Sequence, residues 1–122
     1  MTVCIVAGSR DITSRAFVRR EMIRMWKDYG AFTVLTGGAR GVDSLAHQVA
    51  LKAQQPAQVM HALWDKYGRS AGYRRNEEMA KQADMLLALW DGSSRGTKHM
   101  IDLAQKYKLT VRVVQQKEKN SG

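Results

Sequence analysis

Short β-branched or apolar runs alternate along the chain with segments whose apolar positions recur at helical spacing. Five runs have strand character: Thr2–Ala7 closed by Gly8, Phe32–Thr36 closed by Gly37-Gly38, Ala57–Ala62, Asp84–Trp90 closed by Asp91-Gly92, and Thr110–Val114. Three of them are almost continuously apolar, the pattern of parallel strands covered on both faces. Between them, Ser14 is placed to cap a helix whose Val18, Met22, Met25, Trp26 and Tyr29 form one stripe, with Gly30 as its stop. Val42, Leu45, Ala46, Val49, Ala50 and Ala53 repeat the pattern. Tyr73 to about Gln82 and Thr97 to Tyr107 complete four helices. The strict alternation predicts an α/β fold: a single Rossmann-like domain with a mostly parallel five-stranded sheet and helices on both faces, spanning 1–116. A polar tail covers 117–122. No repeat or linker interrupts the chain.

Composition narrows the class. The 122 residues are 44% hydrophobic and 25% charged, the balance of a globular protein. One cysteine, Cys4, excludes an internal disulfide and fits a small core residue. The apolar run Met85–Trp90 is far shorter than the roughly 18 residues of a membrane span, and the first residues lack a basic leader. These features predict a cytoplasmic protein without membrane partners. The net charge is +9, from 20 basic and 11 acidic residues, and it is spread over both halves of the chain. Such an excess favours an anionic partner, whether a nucleotide, a phosphate-bearing metabolite or a nucleic acid.

Ligands of doubly wound sheets bind beyond the carboxyl ends of the strands. Three such ends carry glycine with arginine: Gly8-Ser9-Arg10, Gly37-Gly38-Ala39-Arg40-Gly41-Val42-Asp43, and Asp91-Gly92-Ser93-Ser94-Arg95-Gly96-Thr97. Glycines let backbone amides approach a phosphate, and each loop feeds a helix N-terminus that favours an anion. Arginines add planar bidentate donors. Ser9 and Thr97 offer hydroxyls, and Asp43 either accepts from a ribose hydroxyl or caps its own helix. A fourth segment, Trp64–Asn76, combines aromatics with Arg69, Arg74 and Arg75 ahead of a helix. It either covers a base, with Arg74 or Arg75 on phosphate and Asn76 beside them, or is a basic loop whose Trp64 fills a core gap. Neither GxGxxG nor GxxxxGK[ST] occurs, which disfavours dinucleotide dehydrogenases and P-loop ATPases. The three histidines, at 47, 61 and 99, have no metal-ligand spacing, so neither a metal nor a cofactor is expected. Phe17, Ile23 and Trp26 widen the apolar face of the first helix, which is compatible with a homo-oligomer.

The segments GSR (8–10), TGGARGVD (36–43), GRSAGYRRN (68–76) and WDGSSRGTKHMID (90–102) together resemble the YspA-like branch of the SLOG superfamily. This resemblance covers nearly the whole chain and implies a Rossmann-like domain that senses or processes a nucleotide or nucleotide-derived ligand. Two further likenesses imply alternatives. Lonely-guy phosphoribohydrolases carry a PGGxGTxxE loop; Gly96-Thr97 match it, but Met100 stands where the catalytic glutamate would be. DNA-processing protein A carries a GxARGID…AH segment similar to Gly37–His47 and an arginine-asparagine helix start similar to Arg75-Asn76, which implies single-stranded DNA as the partner.

Overall fold

In the computed structural model the described residues are 2–116, so the expected 117–122 tail lies outside them. The chain forms β1 (Val3–Gly8), α1 (Arg15–Tyr29), β2 (Thr33–Thr36), α2 (Val42–Lys52), β3 (Ala57–Val59), α3 (Trp64–Tyr67), a 3-10 turn (Gly68–Ser70), α4 (Ala71–Gln82), β4 (Met85–Trp90), α5 (Arg95–Lys106) and β5 (Thr110–Gln115). The strands make one sheet in the order β3-β2-β1-β4-β5, and every pairing is parallel. The chain winds outward from β1 to β3, then returns to place β4 on the other side of β1. The β1–β4 boundary is therefore the switch point of the sheet.

Alternation along the central strands explains their continuous apolar sequence. Cys4 and Val6 of β1, with Leu87 and Leu89 of β4, face α1 and α2. Ile5, Leu86 and Ala88 face α4 and α5, where they meet Met79, Met100 and Ile101. Both faces are covered, as the sequence predicts. Among the described residues no helix is long and apolar enough to cross a membrane.

The caps of α1 form as expected. Ser14 Oγ accepts from the Phe17 amide at 3.2 Å, and the Gly30 amide donates to the Trp26 carbonyl at 2.8 Å. Phe17, which widens the apolar face, is buried in the chain's own core, while Tyr29 of the stripe is exposed. Glu21 sits in the buried face, only 2% exposed, and ion-pairs with Arg20 and Arg24.

Several boundaries differ from expectation. β3 is three residues rather than six: it lies at the sheet edge, and one further bond, from the Met60 amide to the Thr36 carbonyl, ends its pairing. α5 starts two residues early because Ser94 caps it, its Oγ accepting from the Thr97 amide. α4 likewise begins at Ala71 rather than Tyr73. The segment before α4 is helical rather than a loop. Trp64 is 55% exposed, so it fills no core gap.

Candidate functional site

The three glycine-arginine loops meet at the carboxyl edge, around a cleft of about 340 Å³ over the switch point. Ser9 joins them. Its buried hydroxyl accepts from the Asp91 amide at 3.0 Å, its amide donates to the Leu89 carbonyl at 3.1 Å, and its carbonyl accepts from the Val42 amide. Ser9 is thus a tie between the β1, β2 and β4 loops rather than a donor facing the cleft. Asp91 folds its own loop: its Oδ1 accepts from the amides of Ser93 and Ser94 at 2.8 and 2.9 Å. Donation from the Ser93 amide, foremost, holds this carboxyl below its usual range.

Asp43 organises the second loop. Its Oδ2 accepts from the amides of Gly37 and Ala39 at 3.1 and 3.2 Å, so the carboxylate holds the turn from inside. Burial pushes this carboxyl up from 3.8 to about 6, against the pull of the Ala39 amide and of Arg75. Because the folded value exceeds the unfolded one, Asp43 favours folding below pH 3.8, and this contribution is lost as pH rises toward 6. An Asp43→Asn variant keeps an acceptor for both amides and does not titrate. Relative to it, the wild type is expected to lose about 2 kcal/mol between pH 4 and 7, measured by urea unfolding at both pH values.

Arg75 braces the same loop from α4. Its Nη1 donates to the Gly37 carbonyl at 2.7 Å, and its Nε donates to Asn76 Oδ1 at 3.0 Å. Burial lowers the Arg75 pKa, opposed by Asp43. Asn76 continues the chain of contacts to His99 Nδ1 at 3.2 Å on α5, and Tyr73 packs edge-on against the His99 ring. Burial lowers the His99 pKa, which suits an imidazole that accepts from Asn76.

Of the residues singled out in the sequence, Gly8, Arg10, Ala39, Arg40, Asp43, Arg75, Asn76, Ser94, Gly96 and Thr97 line the cleft. Ser9, Gly37, Gly38, Gly41, Arg74 and Arg95 do not. Arg74 turns away: its Nε donates to Ser70 Oγ at 3.1 Å and its guanidinium lies over the Tyr67 ring. Gly41 serves the fold, since its φ is +76° and a Cβ there would meet the Arg10 carbonyl oxygen at 2.5 Å. Gly96 differs, because a Cβ there meets nothing within 4 Å.

Cleft residues with no ligand role in the sequence reading are the acids Asp11 and Asp91, Ser93, and an apolar floor of Ala7, Met79 and Met100. The Asp-Gly-Ser-Ser run was a turn signal for Asp91 and Ser93, and Met79 follows Asn76 by one helical turn. Arg40 is mostly exposed and pairs loosely with Asp11 at 3.7 Å, so little opposes its reaching an anion. The first-turn amides of α5, at Arg95 and Gly96, have no acceptor within their own helix. The rim therefore offers guanidinium groups and helix amides above an apolar floor, a setting for a phosphate joined to a flat apolar group.

Comparison with known proteins agrees with this architecture. The sequence profile of the family described as DNA recombination-mediator protein A matches residues 1–87. Gene 61 protein of Mycobacterium phage D29 is 35% identical over 114 residues, covering 73% of this chain and 90% of that protein. Among solved structures, DNA processing protein A from Streptococcus pneumoniae superposes with a TM-score of 0.76 at 15% identity, over 98% of this chain and 52% of that one. DNA processing protein A from Helicobacter pylori, which binds single-stranded DNA, gives 0.71 at 20% identity, over 95% and 66%. The structural-genomics target TM1055 gives 0.67 at 20% identity, over 91% and 72%. This chain thus spans half to two thirds of the DNA processing protein A chains, and at these identities the superpositions establish the fold. On the profile match, which covers more than half of its length, the chain belongs to the DNA recombination-mediator protein A family.

Proposed function

We propose that the chain binds single-stranded DNA across the carboxyl edge of its sheet, with one nucleotide unit seated in the switch-point cleft. The observation that carries this reading is the cleft itself. Its volume of about 340 Å³ suits one unit, it is open, and Arg10, Arg40 and Arg75 line it in a chain of net charge +9. Phosphates would be met by Arg10, Arg40 and the Gly96 amide, and the base or sugar would rest against Met79 and Met100. Asp43, Arg75 and Asn76 would hold the loops that shape the cleft. The single-stranded DNA binding of the Helicobacter pylori relative supports the choice of partner.

A free nucleotide or nucleotide-derived ligand is the second reading. It is favoured by the single-unit size of the cleft and by the acids Asp11, Asp43 and Asp91 that bound it. The finer placement in the YspA-like branch belongs with this second reading and is supported by the TGGARGVD and GRSAGYRRN segments. Cleavage of a base–ribose bond is not part of either reading, since the resemblance to the phosphoribohydrolase loop puts Met100, a buried residue, where the catalytic glutamate would be.

Site-directed variants test the location. Arg40→Ala should weaken oligonucleotide binding by roughly 1.5–3 kcal/mol, the range of charge-assisted hydrogen bonds. Gly96→Ala should leave stability equal or slightly raised, because the methyl group has room, yet weaken binding by crowding the phosphate. Arg19→Ala, on the exposed side of α1, is the control. Anisotropy titrations in which Arg19→Ala and Arg40→Ala weaken binding equally would place the strand elsewhere.

A further inference from the structure

We infer that a recess on the opposite side of the β2 loop from the cleft is a nucleobase subsite; this rests on the reading that the chain binds nucleotides. The recess has a volume of about 290 Å³ and lies between the end of β2, the first two turns of α2 and the chain leaving β3. Thr36 and His47 both line it. Thr36 is fully buried, and its hydroxyl has no hydrogen-bond partner among the described residues; neither does the buried Nδ1 of His47. A buried polar group without a partner is costly, and proteins rarely keep one without a use. Two of the three such atoms among the described residues belong to residues that line this one recess; the third, Trp26 Nε1, lies on α1.

The chemistry of the walls selects the ligand. No lysine or arginine among the described residues lines the recess, so it does not suit a phosphate. It presents neutral groups that donate and accept: the Thr36 hydroxyl, the His47 imidazole, and the Ser44–Gln48 pair, in which Gln48 Nε2 donates to Ser44 Oγ at 3.4 Å. Asp43 borders it as well, with Oδ2 committed to its own loop. The His61 ring stands against Gly38, where a Cβ would meet it at 3.2 Å, and gives an aromatic surface at the mouth. Alternating donors and acceptors beside an aromatic ring match the edge and face of a base. Asp43 lines both the recess and the cleft, so the two are neighbours across the loop. A strand with one unit in the cleft could cross Gly38–Arg40 and place the adjacent base in the recess. The site would then give the protein a base preference.

The test uses the full chain with two probes. The four deoxynucleosides, which carry no phosphate, are titrated while the imidazole signals of the three histidines are followed by NMR. Homo-oligonucleotides of each base are titrated by anisotropy with the wild type, Thr36→Val and His47→Leu. Thr36→Val preserves shape and removes only a hydroxyl that has no partner among the described residues, so the thermal midpoint should hold or rise. At least one nucleoside should shift His47 and His61, and oligonucleotides should differ by about tenfold between the best and worst base in the wild type. Thr36→Val and His47→Leu should each compress that spread to about twofold. Absence of nucleoside shifts together with equal affinities for all bases, or a base spread unchanged in both variants, overturns the subsite and leaves water as the partner of these atoms. If oligonucleotides bind through Arg40 without base preference, the subsite alone fails. If nucleosides shift the imidazoles but no oligonucleotide binds, the strand reading fails and the subsite stands.

Discussion

Gly8→Ala is expected to destabilise the protein by roughly 3 kcal/mol, at the upper end of the usual cost of overpacking a core. Gly8 is the last residue of β1 and pairs with Leu89 of β4. A Cβ at this position would collide with the Leu89 carbonyl oxygen and lie 2.6 Å from Cγ2 of Val42. Neither neighbour can yield easily. The Leu89 carbonyl is fixed by the Ser9 amide, and Val42 is fully buried at the start of α2. The methyl group would therefore part β1 from β4 or push α2 away, at the point where the site loops leave the sheet. Against a total stability of about 5–15 kcal/mol, the thermal midpoint should fall by roughly 10–15 °C. A midpoint within 3 °C or so of wild type would show that the packing around Gly8 is looser than described. Gly96→Ala provides the contrast, since a Cβ there meets nothing within 4 Å among the described residues.

These two glycines mark the limit of what the sequence could say. The fold was legible because its signals were redundant: continuous apolar strands, four amphipathic helices, and α1 bounded by Ser14 and Gly30. The loop edge was legible too, because glycine and arginine gathered at three strand ends. What each residue does there was not. Gly8 and Gly96 look alike in a sequence, but one is needed by sheet packing and the other is not. Arg74 and Arg75 are neighbours on α4, about 100° apart around the helix, so only one could face the cleft. Arg75 does so and braces Gly37, while Arg74 stacks on Tyr67. That choice depends on how α4 sits, which local pattern does not encode. The short helix α3 was missed because four residues carry no helical period, and the Gly-Arg-Ser-Ala-Gly run after it reads as a turn. The buried Glu21 was missed because its two arginine partners are its neighbours on an otherwise ordinary amphipathic helix.

The second large effect is the salt and length dependence of the proposed DNA binding. Single-strand binding releases about 0.7 counterions per phosphate contacted, so three phosphates, met by Arg10, Arg40 and the Gly96 amide, give a slope of log K against log salt near −2. Affinity should then fall by roughly 15-fold between 50 and 200 mM salt. It should also rise with oligonucleotide length until the strand spans the loop edge, because one unit in the cleft leaves further phosphates for the exposed rim. The measurement is an anisotropy titration of the wild-type chain with labelled thymidine oligonucleotides of increasing length and with mononucleotides, at both salt concentrations. Length-dependent affinity with a slope near −2 is the predicted result. A mononucleotide that binds as tightly as any oligonucleotide, with little salt dependence, would contradict strand binding and assign the cleft to a free nucleotide.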